Sequence, residues 1–451
     1  MSMLAAIICA MCFVVCYVAG RRAVWAGFMA TMVVGYFYGI VRANIESPFA
    51  HFIFDFGAVG FYLALITRND TPIQRFKMRR VMPWVLALAG WPLLIMLMPL
   101  QPSLIQLVGL RGQIFFVPFI LVGAMLDGSE IRKIAIGLAV LSLVEIVFAL
   151  AEIEFGILSF YPVNSVDQII YNSMDVVVGS TMAFRIPGTF VQAAAFGGDM
   201  AISLPLLVGA MTQEPRGGYR RKLLLIAVGM SALGVFLSAS RSQATLLFVL
   251  GIATTFSGRV RNFPRFGWVA LLAVIGTLVA VSPRMQRFIT LDNTTYLKNR
   301  VSGSVNSSFF ELAWEYPLGN GLGGGGTSIP YFLLPELRNP VVVENEYARI
   351  MLEQGLPGLL LWLSFIFWTL TRPLPLVTDP WYLGKWLARV ALVFLFMTAP
   401  TGMGLLTWIP GTALVLVFAG WIATPNVTPA RARAAPHDTP VPPPGPVLKT
   451  A

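Results

Sequence analysis

The sequence predicts an all-α, polytopic integral membrane protein with about 12–13 transmembrane helices. Three observations predict it. Charged residues make up 12% of the 451-residue chain and hydrophobic ones 57%, whereas a soluble domain is about one quarter charged. Mean hydropathy is +0.74. Apolar runs of about 17–25 residues, enough to cross about 30 Å of hydrocarbon, recur along the chain, and basic clusters fall on alternate connections.

The first run, 3–19, has no basic residue ahead of it and is followed by Arg21-Arg22. It is therefore expected to persist as a helix with its N-terminus outside, not as a cleaved signal. Cys9, Cys12 and Cys16 share one stripe of that helix and read as soft packing residues, with no disulfide framework. Further spans are expected at 24–41, 50–67, 82–100, 112–126, 134–153, 189–212, 223–239, 243–257, 267–282, 347–370, 387–404 and 407–424. The short runs at 112–126 and 243–257 also fit half-buried or re-entrant segments. No internal repeat is visible, which disfavours inverted-repeat transporter folds.

Arg21-Arg22, the cluster from Arg68 to Arg80, Arg132-Lys133, the group Arg216 to Lys222, and Arg259, Arg261 and Arg265 occupy every second connection. The positive-inside rule makes these cytoplasmic and sends the outer loops 154–188 and 283–346 to the opposite face. Much of the +11 net charge is thus a collar beside anionic lipid headgroups, and nucleic acid is not implied. With only His51 and His437 present, a histidine-based metal site is not expected, and neither is a cofactor. The chain reads as one membrane domain, 1–424, and a Pro/Ala-rich cytoplasmic tail, 425–451, unable to bury a core.

Several residues stand out chemically. Arg185 opens Arg-Ile-Pro-Gly-Thr-Phe where the smaller outer loop enters a helix; it reads as a phosphate ligand or as a snorkelling anchor. Arg241 lies between two apolar spans among Ser238, Ser240, Ser242 and Gln243. A charge there is functional by default, with a salt bridge to Asp199 or Glu145 as the competing reading. The larger outer loop carries a basic segment, an amphipathic stretch from Phe309 to Trp314, and Pro317-Leu318-Gly319-Asn320-Gly321 leading into four further glycines; it is expected to be ordered over the membrane. Glu344 and Asn345 open the next span, as catalytic groups or as a solvated helix start with Asn345 as its cap. Arg349 and Glu353 are spaced to pair with each other.

Taken in order, Arg185 before its Gly-containing segment, Ser240-Arg241-Ser242 between helices, the Pro-x-Gly-x-Gly segment at 317–321, and Glu344-Asn345 followed by Gly355 and Gly358 resemble the bacterial O-antigen ligase and Wzy-type polysaccharide polymerase family. The chain carries Glu344 where the ligases carry His, which leans toward the polymerase branch. The resemblance implies a GT-C-like glycosyltransferase of the bacterial inner membrane, with its active site on the periplasmic face. The donor would be a glycan on polyprenyl pyrophosphate, the acceptor a lipid-linked hydroxyl, and the reaction inverting and metal-independent. It implies Glu344, Arg241 and Arg185 as catalytic residues, and Asn345, Tyr347, Arg111, Gly319, Gly321 and Glu346 as substrate-binding residues. Its partners would be the lipid-linked glycan, membrane lipids and a chain-length regulator protein. The alternatives are an O-antigen ligase or protein O-glycan transferase, and a lipid-linked glycan flippase.

Overall fold

The computed structural model describes residues 2–164, 175–178, 181–257, 309–326, 329–341, 343, 345–402 and 405–424. The expected span at 267–282, the basic segment of the larger outer loop, Glu344 and the 425–451 tail lie outside the described residues. Among those described, the regular elements are helical apart from one antiparallel ribbon, β1 (Asp175–Val178) and β2 (Thr181–Phe184). The helices are α1 (Ser2–Arg22), α2 (Val24–Asn44), α3 (Ile53–Thr67, continuing a 3-10 turn from Pro48), α4 (Pro72–Met96), α5 (Ser103–Ile114), α6 (Phe119–Met125) and α7 (Gly128–Phe155). Then follow α8 (Ala193–Met211), α9 (Tyr219–Leu237), α10 (Arg241–Phe256), α11 (Phe309–Glu315), α12 (Glu346–Leu370), α13 (Tyr382–Thr398) and α14 (Gly411–Ala423). Seven described segments are long and apolar enough to cross a membrane: α1, α2, Pro48–Thr67, Ser103–Met125, α7, α8 and α12. The others are shorter, as α10, α13 and α14 are, or begin with clustered basic residues, as α4 and α9 do.

The starts of α4 and α7 are set by side-chain caps. The Thr71 side chain accepts from the Gln74 N–H and Gln74 reaches back to the Thr71 N–H, with Pro72 at the first helical position. That box starts α4 ten residues before the apolar run at 82–100, so Arg75, Lys77, Arg79 and Arg80 are helical. Asp127 and Glu130 form the same box on α7. Three expected spans, 112–126, 387–404 and 407–424, differ from the helices observed. The run at 112–126 is the second part of one longer span, Ser103–Met125, broken at 115–118 where Pro118 interrupts the ladder. Pro400, Gly402 and Pro410 punctuate the apolar chain beyond α13, which ends at Thr398, and α14 begins only at Gly411.

Helix α8 is the axis of the bundle, with 94% of its membrane-length window buried, and it packs on α7, α9, α10, α13 and α14. Small residues permit this, since without a hydrophobic force between helices in lipid close backbone packing has to hold them. A Cβ on Gly209 would lie 2.8 Å from the Gly384 Cα of α13. Between α6 and α14 the approach is tighter: a Cβ on Gly123 would meet the Val417 carbonyl oxygen at 2.0 Å, and one on Gly420 the Ile120 carbonyl oxygen at 2.0 Å. Gly420→Val is therefore expected to lower stability by about 3 kcal/mol, because backbone cannot yield as a side chain tip can. Scanning fluorimetry on purified protein checks this; an unchanged melting temperature would contradict the packing.

The helix ends sort the charges. Arg21 donates to the Thr67 carbonyl, Lys77 to that of Leu126, Lys385 to that of Thr424, and Arg132 lies 3.9 Å from Glu214. These contacts gather the basic clusters at 21–22, 68–80, 132–133 and 216–222 at one end of the bundle. At the other end Asn44 donates to Phe160 O, Arg185 to Ser238 O, and the Glu346 N–H to Gly402 O.

Candidate functional site

The segment from Arg185 to Gln192 is non-helical backbone set among helices, so its polar groups need protein partners. They have them. The Gly188 N–H donates to Glu152 at 3.0 Å and the Thr189 N–H to Glu145 at 3.2 Å. The Thr189 hydroxyl lies 2.5 Å from Glu145 Oε1 and 2.6 Å from Tyr36 O, and the Tyr161 hydroxyl donates to Gly188 O at 2.5 Å. Gly188 adopts φ +58, a region an L side chain resists. Glu145 and Glu152, both buried on α7, thus hold the segment that aims Arg185. Glu145, considered above as an ionic partner for Arg241, has this role instead.

Arg185 Nε donates to Ser238 O at 3.0 Å, and the Ile186 N–H to Leu237 O at 3.4 Å. Ser238 ends α9, and Arg241 opens α10 after only Ala239 and Ser240. The two arginines therefore flank a single turn. Ala239 sits at φ +48, a left-handed conformation that costs a non-glycine residue about 1 kcal/mol or more. The Ser238 hydroxyl supports the turn by accepting from the Ser240 N–H at 3.3 Å. Gly197 of α8 makes room for it, since a Cβ there would lie 2.1 Å from the Ser238 Oγ.

Asn345 is the cap of α12: its Oδ1 accepts from the Tyr347 N–H at 2.9 Å and the Ala348 N–H at 3.1 Å. The Tyr347 hydroxyl donates to Phe396 O at 2.7 Å, tying this end of α12 to α13. Glu344 lies outside the described residues. Arg349 pairs with Glu353 at 3.0 Å, as its spacing predicts, and also with Glu346 at 2.5 Å, all three fully buried. Gln113 of α5 donates to Glu353, and Gln354 donates to Gln113 at 2.7 Å. The structure thus places Glu346 in an interior ion pair.

Gly319 and Gly321 stand at φ +90 and +88 in a segment wedged into a kink of α12, where Gly355 has φ +71. The Asn320 N–H donates to Leu352 O at 2.6 Å, and the Leu356 N–H to Pro317 O at 3.1 Å. The N–H groups of Gly319, Gly324 and Gly326 donate to carbonyls of this same segment. Gln101 clamps it from outside, donating to Asn320 O at 3.0 Å and Arg338 O at 2.9 Å. The glycines therefore bend the chain against α12. Gly355→Ala is expected to destabilise the protein by about 2 kcal/mol or more, because a Cβ there would also lie 2.6 Å from the Leu318 carbonyl carbon. Thermal melting checks it, and wild-type stability in that variant would contradict the wedge.

Beside Arg241 a cavity of about 180 Å³, open on one side, lies among the N-termini of α8 and α10 and the C-terminus of α13. Gln192, Ser242, Gln243, Thr398 and Trp408 supply its polar and aromatic lining. Gly402, also in the lining, accepts the Glu346 N–H at 3.3 Å, so the start of α12 abuts the same space. The starts of α8 and α10 border it together with the end of α13, so the partial positive charge of the first two is opposed by the partial negative charge of the third. Arg111 does not line the cavity: its Nε and Nη2 are each 2.6 Å from Asp55 Oδ2. Sequence reasoning missed Gln192, Thr398 and Trp408. The available signal was Trp-Ile-Pro-Gly at 408–411, a break inside an apolar run.

Family models and curated proteins give no match to this chain. The multi-pass bundle and the geometry of the turn carry the functional reading.

Proposed function

We propose that this chain is a membrane glycosyltransferase that elongates a polysaccharide, moving glycan from a polyprenyl-pyrophosphate donor to the hydroxyl of a lipid-linked acceptor. The observation that carries this reading is the placement of Arg185 and Arg241 on either side of one turn, beside a cavity bordered by the starts of α8 and α10 and the end of α13. Guanidinium stays charged at any relevant pH and binds phosphate oxygens through a planar fork. Charge grows on the pyrophosphate as the glycosidic bond breaks, and preorganised cations stabilise it there. The acceptor oxygen attacks the anomeric carbon from the opposite side, the C–O bond to pyrophosphate breaks with its electron pair, and the configuration inverts. The hydroxyl proton passes to Glu344, which immediately precedes the Asn345 cap.

The basic end of the bundle would be cytoplasmic and the arginine turn periplasmic. A flippase would need charge along a crossing path, whereas Arg185, Arg241 and Asn345 belong to one end. Purified protein in liposomes with lipid-linked repeat units should release one polyprenyl pyrophosphate per new linkage, with inverted anomeric configuration. Retention of configuration, or no linkage formed, would reject the proposal.

A further inference from the structure

The cavity beside Arg241 has a lining that says what it holds. Among the described residues none of its side chains is ionisable. Gln192 and Gln243 contribute amides, each able to donate and accept, and Ser242 and Thr398 contribute hydroxyls. The Thr398 hydroxyl donates to Phe394 O at 2.9 Å. Gln243 Oε1 is buried without a hydrogen-bond partner among the described residues, so it suits a ligand that brings a donor. The lining also holds two aromatic rings, Phe394 and Trp408.

Trp408 is held in place by glycines on two sides. A Cβ on Gly198 would lie 2.2 Å from its Cζ2, and one on Gly411 would lie 2.3 Å from its Cε2. The backbone N–H of Trp408 donates to the Thr412 hydroxyl at 3.0 Å, and that hydroxyl donates to Leu405 O at 2.9 Å, which fixes the main chain that carries the ring. The ring is therefore a fixed wall. A pyranose matches such a space: it has one face of C–H groups for an aromatic surface and an edge of hydroxyls for amides. At about 180 Å³ the cavity is smaller than pockets that enclose drug-sized ligands, so it suits one ring and not an oligosaccharide. Ser242 and Gln243 lie in the first turn of α10, the turn that Arg241 opens, so the cavity and the arginine share one helix start.

We infer that this cavity is the subsite for the first sugar of the donor, and that it selects an uncharged hexose over a carboxylated one. The inference rests on the donor reading above. A hexuronic acid would bring a carboxylate into a lining with no cation to receive it, once Arg241 is engaged with pyrophosphate.

The test measures binding to purified protein in nanodiscs. Three synthetic probes are used: polyprenyl pyrophosphate, the same lipid carrying one neutral hexose, and the same lipid carrying one hexuronic acid. Wild type should bind the hexosyl lipid about tenfold more tightly than the bare lipid, and the hexuronosyl lipid no more tightly than the bare one. Gln243→Ala and Trp408→Phe should each remove most of the hexose advantage and leave affinity for bare lipid unchanged. Gln243 is only partly buried, so its variant keeps the test open if the Trp408 variant fails to fold. Preference for the hexuronosyl lipid, or an undiminished hexose advantage in both variants, overturns the subsite. Failure of wild type to bind bare polyprenyl pyrophosphate overturns the donor reading itself, and the subsite falls with it.

Discussion

Replacing Arg241 by glutamine is expected to lower turnover about 100–1,000-fold while the protein still folds and inserts. The side chain is partly exposed at the first position of α10, so its removal leaves no buried void. Its loss would fall on kcat more than on KM, because the charge it stabilises is largest in the transition state. Arg241→Lys should recover little, since an ammonium keeps the charge and lacks the planar fork. Arg185→Gln should behave alike, and the double variant should be scarcely worse than either single one if the pair acts as a unit. Steady-state kinetics on lipid-linked repeat units decides this. An Arg241→Gln enzyme with wild-type kcat would remove the arginine from the chemistry.

The second large effect concerns folding. Arg349→Leu is expected to destabilise the protein by about 3–5 kcal/mol, because it strands Glu346 and Glu353 without a cation. All three side chains are fully buried, so water cannot take over the solvation. Adding Glu346→Gln and Glu353→Gln to that variant should restore most of the loss, since neutral amides tolerate the interior once the charge is gone. Melting temperatures in one detergent compare the single and triple variants. A single variant as stable as wild type would mean that the network contributes nothing to folding. The network matters to the site because it orders the first turns of α12, where Asn345 caps the helix beside Gly402.

Much of the bundle is legible in the sequence because crossing a membrane demands long apolar runs, which show in one dimension. The Arg349–Glu353 pair and the Asn345 cap are legible for a similar reason: both are contacts within four residues of helix. What was not legible depends on neighbours remote in sequence. Nothing in the segment around Gly188 and Thr189 reveals that Glu152 and Glu145, more than thirty residues earlier, receive its N–H groups. The glycines at 319 and 321 look like a phosphate cradle until Gly355 supplies the kink they fill. Trp408 is hidden for a third reason, since hydropathy extends both flanking spans toward it and cannot see that α13 ends at Thr398 and α14 begins only at Gly411.

Photochemical capture of the donor tests the central claim most directly. A polyprenyl pyrophosphate-linked sugar carrying a diazirine on its first isoprene, next to the pyrophosphate, would be irradiated with purified protein and the labelled peptides mapped. The account predicts crosslinks within Arg185–Gln192 and Ser238–Gln243, diminished in Arg241→Gln. Crosslinks confined to 68–80 or 216–222, at the basic end of the bundle, would contradict it.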